Sequence, residues 1–318
     1  MKKLILISSA VAMLFSACQK NNITTDDSSS ALRRNCSSVE VLAEQLKADP
    51  TLEARMEAYE AVVQNNLKNN VNARLVNGVI EIPVVVNVLY RTAAENISLA
   101  QIQSQIDVLN EDFNATNADY TKVPTTFSAV KAKVGIRFVL DQVIRKSTTK
   151  TSWSTNDYCK KSTKGGINPT SPTTKLNLWV CTLSGGVLGY AQFPGGASAT
   201  DGVVILNTGF GRTGTAAAPF NKGRTATHEV GHWLNLRHIW GDATCGSDLV
   251  SDTPTHNTAN YGCPAAGHKS TCTGTPIEMT MNYMDYTDDA CMYMFSSGQK
   301  SRILATFATG GPRASFAQ

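Results

Sequence analysis

Residues 227–238 read Thr-His-Glu-Val-Gly-His-Trp-Leu-Asn-Leu-Arg-His. His228 and His232 are four residues apart, so on an α-helix their side chains lie on one face and can reach one ion. Glu229 follows the first histidine, where its carboxylate can hold a water molecule of that ion and act as a general base. The spacing therefore predicts a zinc-binding helix in a hydrolase.

A third histidine strengthens this prediction. The chain has five histidines, and three of them fall within these residues. His238 can reach the same ion only if the helix ends and the chain turns back, which we expect at Asn235 because asparagine tolerates the left-handed conformation. Three imidazoles would leave the fourth zinc position open for catalysis. The alternative is a zinc hydrolase that takes its third ligand from a distant glutamate.

The chain before this helix alternates between strand and helix patterns. A β-branched run at 79–90 predicts a central strand. An amphipathic helix is expected at 98–114, capped by Ser98. Apolar periodicity at 37–68 predicts two helices separated by Pro50. Further strands are expected at 134–143, 175–183 and 202–206. This order favours an α+β fold with a mixed sheet.

The chain after the zinc motif has little periodicity. The motif helix should run from Thr225 to about Leu236, and a last helix should begin near Ser297 and end before Gly310. Residues 241–280 between them form a stretch too long for an ordinary connection. Cysteine bridges or bound ions would have to order it.

The first residues read as an export signal. Lys2 and Lys3 precede an apolar run at 4–15 that is too short to span a bilayer. Small residues then lead to Cys18, which predicts a signal peptide at 1–17 and a lipid on Cys18, followed by a polar tether at 19–31. Ordinary secretion after Ala17 and a retained anchor helix are the alternatives. The protein should be secreted or held at the cell envelope, with membrane contact only through that lipid.

Composition excludes some partners and sets the cysteine chemistry. The 318 residues are 42% hydrophobic and carry a formal net charge of +4, without the basic stripe of a nucleic-acid-binding protein. We expect one globular domain, or one divided by a cleft, acting as a monomer on proteins or peptides. Eight cysteines in an exported chain predict disulfides. Removing Cys18 leaves an odd number.

Two further groups of residues offer oxygen donors. Tyr286 lies where its hydroxyl could reach the metal or the oxyanion that forms during hydrolysis. Four residues of the irregular stretch predict a calcium site, since calcium prefers oxygen ligands. They are Asp242, Asp248, Asp252 and Thr253. These four could equally be polar residues that cap turns.

The motifs together resemble the pappalysin family of metzincin zinc peptidases, in particular its bacterial members. Residues 228–242, 251–254 and 281–292 carry the resemblance. It implies a metzincin-like zincin, in which a twisted five-stranded mixed sheet and the active-site helix lie above a cleft. The upper subdomain would end at about 238, and a small irregular, disulfide-bonded subdomain at 239–318 would lie below. Met284 would form the turn beneath the metal.

The resemblance also implies a disulfide pattern. It favours Cys245 with Cys272 and Cys263 with Cys291, which leaves Cys159 to pair with Cys181. A structural zinc site made by the first four cysteines is the alternative, although these cysteines lack the paired two-residue spacings of such sites.

Cys36 remains without a partner and is a candidate inhibitor. Its thiolate could take the fourth zinc position in a latent zymogen, an arrangement that bacterial pappalysins resemble. The pro-segment would then cover 18–54 and the catalytic domain 55–318, with activating cleavage between Ala54 and Arg55. The alternative is a thiol that is unpaired or bridges two molecules.

Related bacterial enzymes cut before lysine or arginine. The resemblance therefore makes Asp288 and Asp289 candidates for the pocket that would receive that side chain; a solvated acidic pair or calcium ligands are the alternatives. The overall prediction is a secreted zinc endopeptidase made as a zymogen. A non-enzymatic envelope binding protein with a decayed zinc site is the competing function, and the intact Glu229 argues against it.

Overall fold

The structure is a computed structural model that describes residues 33–69, 71 and 79–317. The predicted signal peptide, the lipidated Cys18 and the tether lie outside the described residues. Within the described residues, no helix is long and apolar enough to cross a membrane.

Five α-helices lie in the described part of the chain. They are α1 (Ser38–Ala48), α2 (Leu52–Lys68), α3 (Leu99–Phe113), α4 (Arg224–Trp233) and α5 (Ser297–Phe307). The two helices expected around Pro50 are thus confirmed. Ser98 caps α3 as predicted, since its hydroxyl accepts the N–H of Gln101 at 3.1 Å. Helix α4 ends three residues earlier than expected.

Five strands form one mixed sheet in the order β3–β1–β4–β6–β5. Their bounds are β1 (Ile80–Tyr90), β3 (Ile136–Ser147), β4 (Leu176–Cys181), β5 (Gly189–Ala191) and β6 (Val203–Leu206). All neighbours are parallel except β5, which runs antiparallel to β6 at the edge. Two short strands, β2 (Lys131–Ala132) and β7 (Phe295–Ser296), pair separately.

Alternating side chains divide the sheet between two cores. In β4, Leu178 packs with α3 and α4 in the larger core, whereas Trp179 points into a smaller core on the opposite face. Helix α4 lies beneath β5 and β6, in contact with both. This packing places the zinc-motif helix directly below the edge strand.

Candidate metal centre and substrate cleft

Three imidazoles converge at the end of α4. The Nε2 atom of His232 lies 3.2 Å from that of His228 and 3.0 Å from that of His238. The chain turns back at Asn235 with φ of 69°, so the predicted left-handed residue is confirmed. This turn brings His238 under the helix, although it lies six residues beyond His232.

The hydrogen bonds of these rings leave their Nε2 lone pairs free. The Nδ1 atom of His228 donates to the carbonyl of Tyr283 at 2.7 Å, and that of His232 donates to the carbonyl of Leu236 at 2.8 Å. The Nδ1 atom of His238 meets the carboxylate of Asp242. Since a carbonyl can only accept, Nδ1 carries the proton in the first two rings.

These donors fit a zinc ion. Lone pairs aimed at one point repel each other unless a cation lies between them, and ligand atoms at tetrahedral zinc are about 3.3 Å apart. Burial, followed by the neighbouring imidazoles, lowers the pKa of His228 and His232 well below the ordinary value. Both rings are therefore neutral and able to bind a metal.

Cys36 supplies a fourth donor. Its sulfur and the three histidine nitrogens all lie within 4.8 Å of one another, and all four residues are buried. The segment around Cys36 runs parallel to β5 and bridges it at Gly189. Ser37 N–H donates to the Gly189 carbonyl at 3.1 Å, and Leu188 N–H donates to the Asn35 carbonyl at 2.9 Å. The segment thus occupies the edge of the sheet as an added strand.

Glu229 lies beside this sulfur. Its Oε2 is 3.3 Å from the Cys36 sulfur and accepts the Ser38 hydroxyl at 2.8 Å. Burial raises the pKa of Glu229 to about 7. A side chain at Gly189 would meet Glu229, because a Cβ there would lie 2.9 Å from its Cγ. Sequence reasoning missed both Ser38 and Gly189, since neither belongs to a motif.

Comparison with known proteins assigns the family. The M43 peptidase model, described as pregnancy-associated plasma protein-A, matches residues 173–308. An extracellular metalloprotease of Pyricularia oryzae is 35% identical over 223 residues, which cover 68% of this chain and 70% of the relative.

Solved structures agree with this assignment. Mature mirolysin of Tannerella forsythia in complex with a cleaved peptide is 46% identical, with a TM-score of 0.73, covering 75% of this chain and 96% of its own. A promirolysin mutant from the same organism is 42% identical, with a TM-score of 0.80. It covers 89% of this chain and 97% of its own. The chain belongs to the pappalysin family. It is therefore a metallopeptidase with a metzincin-like fold, as the sequence predicted.

In this pappalysin, Met284 lies against the zinc-motif helix. A Cβ at Gly231 would come within 2.4 Å of the Met284 sulfur, so the glycine of the motif makes room for the methionine. Met284 is fully buried, and its own carbonyl accepts the N–H of Ile239 at 3.1 Å. The turn therefore contacts the chain on both sides of His238.

Asp289 and Asp288 have different surroundings in this pappalysin. Asp289 is fully buried and its Oδ1 accepts the guanidinium of Arg34 at 2.5 Å. Its Oδ2 accepts the N–H of Lys222 at 2.7 Å and that of Arg224 at 3.2 Å. The Asp288 carboxylate has no such partner among the residues that the structure describes; burial raises its pKa, and the charge of Arg34 opposes that rise. Asp289 is thus the acid that faces an arginine in the cleft.

Tyr286 faces the segment around Cys36 in this pappalysin. Its hydroxyl donates to the carbonyl of Cys36 at 3.0 Å, and its ring lies 4.9 Å from that of His238. Burial raises the pKa of its phenol well above the ordinary value, so the hydroxyl keeps its proton.

Two disulfides link parts of the chain between Cys245 and Cys291 in this pappalysin. Cys245 is bonded to Cys272 and Cys263 to Cys291, the pairs that the resemblance implied. The predicted Cys159–Cys181 disulfide is absent, because the structure has these residues as buried free thiols. Contact with Cys159, then burial, raises the pKa of the Cys181 thiol. The two cysteines were correctly expected to lie together, but they are not covalently joined, and the Cys159 sulfur lies 3.4 Å from the Tyr190 hydroxyl.

The four residues predicted to bind calcium do not form one cage. Asp242 contacts His238, and Asp252 accepts the Ser296 hydroxyl and the Gly298 N–H at the start of α5. Asp248 accepts the hydroxyl of Thr253 at 2.9 Å. Within the described chain, the Cys36–histidine cluster alone brings three or more histidine, cysteine or carboxylate ligands together. The Thr253 hydroxyl donates to Asp248, so these two residues lie together, while Asp242 and Asp252 bond to other residues.

Proposed function

We propose that this chain is the latent precursor of a secreted zinc endopeptidase, with zinc held by His228, His232 and His238. The convergence of three imidazoles beside the buried carboxylate of Glu229 carries the proposal. A bound zinc ion would supply Lewis acidity, which acidifies water and polarises a peptide carbonyl.

The residues around the metal suggest how a proton would move. After Cys36 leaves, Oε2 of Glu229 can accept a proton from the attacking water and return it to the leaving amine. In the latent chain, burial raises the pKa of this carboxyl to about 7, and the segment around Cys36 is part of what buries it. The Tyr286 hydroxyl, which now donates to the Cys36 carbonyl, would donate to the carbonyl oxygen of the substrate as negative charge develops there.

The cleft offers places for the main chain and for one basic side chain of a substrate. An extended peptide can use the Leu188 N–H and the Gly189 carbonyl, which the pro-segment now occupies. The ion pair between Asp289 and Arg34 supports a preference for arginine or lysine directly after the scissile bond.

Latency would follow from the same segment. Cys36 would occupy the fourth metal position, and Ser38 would engage the carboxylate that must accept the proton. The suggested cleavage point, Ala54–Arg55, lies in the first turn of α2. A peptidase binds extended chain, so this turn would have to unwind before the bond could be cut.

Other parts of the proposal rest on the sequence or on relatives. Secretion is supported by the predicted signal peptide and by the extracellular relative. Calcium binding stays a prediction from the sequence: Asp248 and Thr253 bond to each other, whereas Asp252 accepts the Ser296 hydroxyl. The converging donor atoms include no carboxylate, which disfavours a glutamate as third ligand.

A Glu229→Ala variant tests the proposed function. We expect full-length Glu229→Ala protein to retain about one zinc per chain and to lose proteolysis by at least 100-fold, because general-base catalysis contributes 10²–10⁴-fold. Metal analysis and digestion of casein, with and without a zinc chelator, measure both effects. Protein without stoichiometric transition metal, or activity in the variant within a few-fold of wild type, would contradict the assignment.

A further inference from the structure

An exposed aromatic side chain lies next to the Asp289 pocket. Tyr261 is 40% exposed, and its ring centroid lies 5.9 Å from that of Tyr286 in the cleft. The guanidinium carbon of Arg33 lies 5.0 Å from the centre of the Tyr261 ring. This distance is typical of a cation–π contact.

The loop that carries Tyr261 is held by buried carboxylates. The N–H of Asn260 donates to Asp285 at 2.8 Å, and its side-chain amide donates to Glu278 at 2.6 Å. Both acids are buried, and the Asp285 carboxylate also accepts the N–H of Tyr286 at 2.8 Å. The Asp285 carboxylate therefore holds both the loop that carries Tyr261 and the backbone of Tyr286.

Two further links join this loop to the segment that carries Asp289. The N–H of Asp288 donates to the carbonyl of Gly262 at 2.9 Å. The Cys263–Cys291 disulfide closes the same connection, with one cysteine two residues after Tyr261 and the other two residues after Asp289. The ring is thus attached to a rigid frame, although its face is open.

The order of contacts along the pro-segment suggests adjacent subsites. Going outward from the metal, Cys36 meets the histidines, Arg34 meets Asp289, and Arg33 meets Tyr261. Because Arg34 and Arg33 precede Cys36, the substrate would run in the opposite direction to the pro-segment. With its first residue after the scissile bond in the Asp289 pocket, it would then bring its next residue to Tyr261.

We propose that Tyr261 is a specificity-determining residue that binds a cationic side chain, arginine above all, two residues after the scissile bond. The inference rests on the proposed function, since it assumes cleavage with the first basic residue at Asp289. A flat guanidinium can lie on the open ring face, whereas a neutral side chain of the same shape lacks the electrostatic attraction. Because the ring is partly exposed, the gain should be about two- to five-fold in kcat/KM.

Matched peptides test this proposal. Quenched peptides with arginine directly after the scissile bond would carry arginine, its neutral isostere citrulline, or alanine at the next position. With enzyme activated from the full-length chain, we expect an arginine-to-citrulline ratio in kcat/KM of about two to five. The ratio should fall to about one in Tyr261→Ala and persist in Tyr261→Phe, which keeps the ring face.

Tyr158 provides the control. It is similarly exposed at 38%, but its ring faces Lys161 and Lys164 of its own chain. Tyr158→Ala should keep the wild-type ratio. A ratio near one in the wild type, an unchanged ratio in Tyr261→Ala, or its loss in Tyr261→Phe would each overturn the proposal. If cleavage before arginine is normal, such a result overturns this inference alone; no cleavage before arginine would overturn the Asp289 pocket as well.

Discussion

At the scale of single residues, the metal centre depends on close contacts as well as on its ligands. Gly231 lies between the two helical histidines, where the motif leaves the residue type open. A Cβ there would come within 2.4 Å of the Met284 sulfur and 3.2 Å of its methyl carbon. The glycine is therefore required by the methionine below it rather than by its own backbone, which is helical.

A Gly231→Ala variant tests this contact. We expect it to lower the free energy of unfolding by about 1–3 kcal/mol, as overpacking of a close-packed interior does. The gain in helix propensity, about 1 kcal/mol, offsets only part of the loss. Denaturant unfolding measures the change.

Gly209 supplies the matched control for this variant. A Cβ there would lie 3.5 Å from its nearest neighbour, the Thr225 hydroxyl, so Gly209→Ala should change stability little. Adding Met284→Ala to Gly231→Ala should recover part of the loss, and strict additivity of the two would show that the contact is not the cause.

At the scale of elements, the turn after α4 is held by helices distant in sequence. Arg302 of α5 donates from Nε to the carbonyl of Asn235 at 2.9 Å. The same guanidinium pairs with Glu60 of α2 through bonds of 2.8 and 2.6 Å. Burial acts to raise the pKa of Glu60, but the bond and charge of Arg302 outweigh it and lower the pKa to about 2. Helix α2 therefore docks directly on the turn that positions His238.

The ion pair between Glu60 and Arg302 should help to hold α2 against α5. In Glu60→Gln, we expect self-activation of the full-length chain to be roughly fivefold faster at pH 7, because a bidentate ion pair of this kind contributes about 1 kcal/mol. Gel analysis of the maturation time course measures the rate. Glu57→Gln, on the same helix but exposed and without an ion pair among the described residues, should behave as wild type.

The lowered pKa of Glu60 also sets the sign of the pH dependence. Glu60 contributes fully to the docking of α2 at pH values above its ordinary pKa of 4.5. The contribution is lost as the pH falls toward about 2. Equal activation rates for the Glu60 and Glu57 variants would show that the pair does not hold the helix.

At the scale of the whole molecule, two parts of the chain are stabilised in different ways. The upper part is a sheet with apolar cores on both faces. Between Trp240 and Thr287, the described chain contains no helix or strand, and two disulfides close loops with sequence separations of 27 and 28 residues. Each should contribute roughly 3 to 4 kcal/mol by the loop-entropy account. Covalent bonds thus replace secondary structure below the cleft.

The thiol pattern is directly measurable. Among the described residues, alkylation in denaturant without reductant should label Cys36, Cys159 and Cys181. Cys245, Cys263, Cys272 and Cys291 should react only after reduction, since they are paired. Peptide mapping by mass spectrometry gives the count. Recovery of a cross-linked Cys159–Cys181 peptide would contradict the structure and restore the original pairing.

Local patterns accounted for much of the fold and the centre of the site. The zinc-motif helix, the turn at Asn235 and the strand at β1 all follow from neighbours within a few residues. Strand β5 was missed because three residues, beginning with glycine, show no alternation. Its function as the edge of the cleft depends on its place in the sheet, which no local pattern encodes.

Residue types and short spacings were thus enough to indicate a metallopeptidase, since helix periodicity and turn preferences act over one or two turns of chain. Long-range packing alone established which acid faces the cleft: Arg34 and Asp289 are 255 residues apart in sequence. The same holds for Ser38 at Glu229 and for the free thiols. Such contacts depend on how the cores close, and a buried charge finds its partner only when the folded chain brings it there.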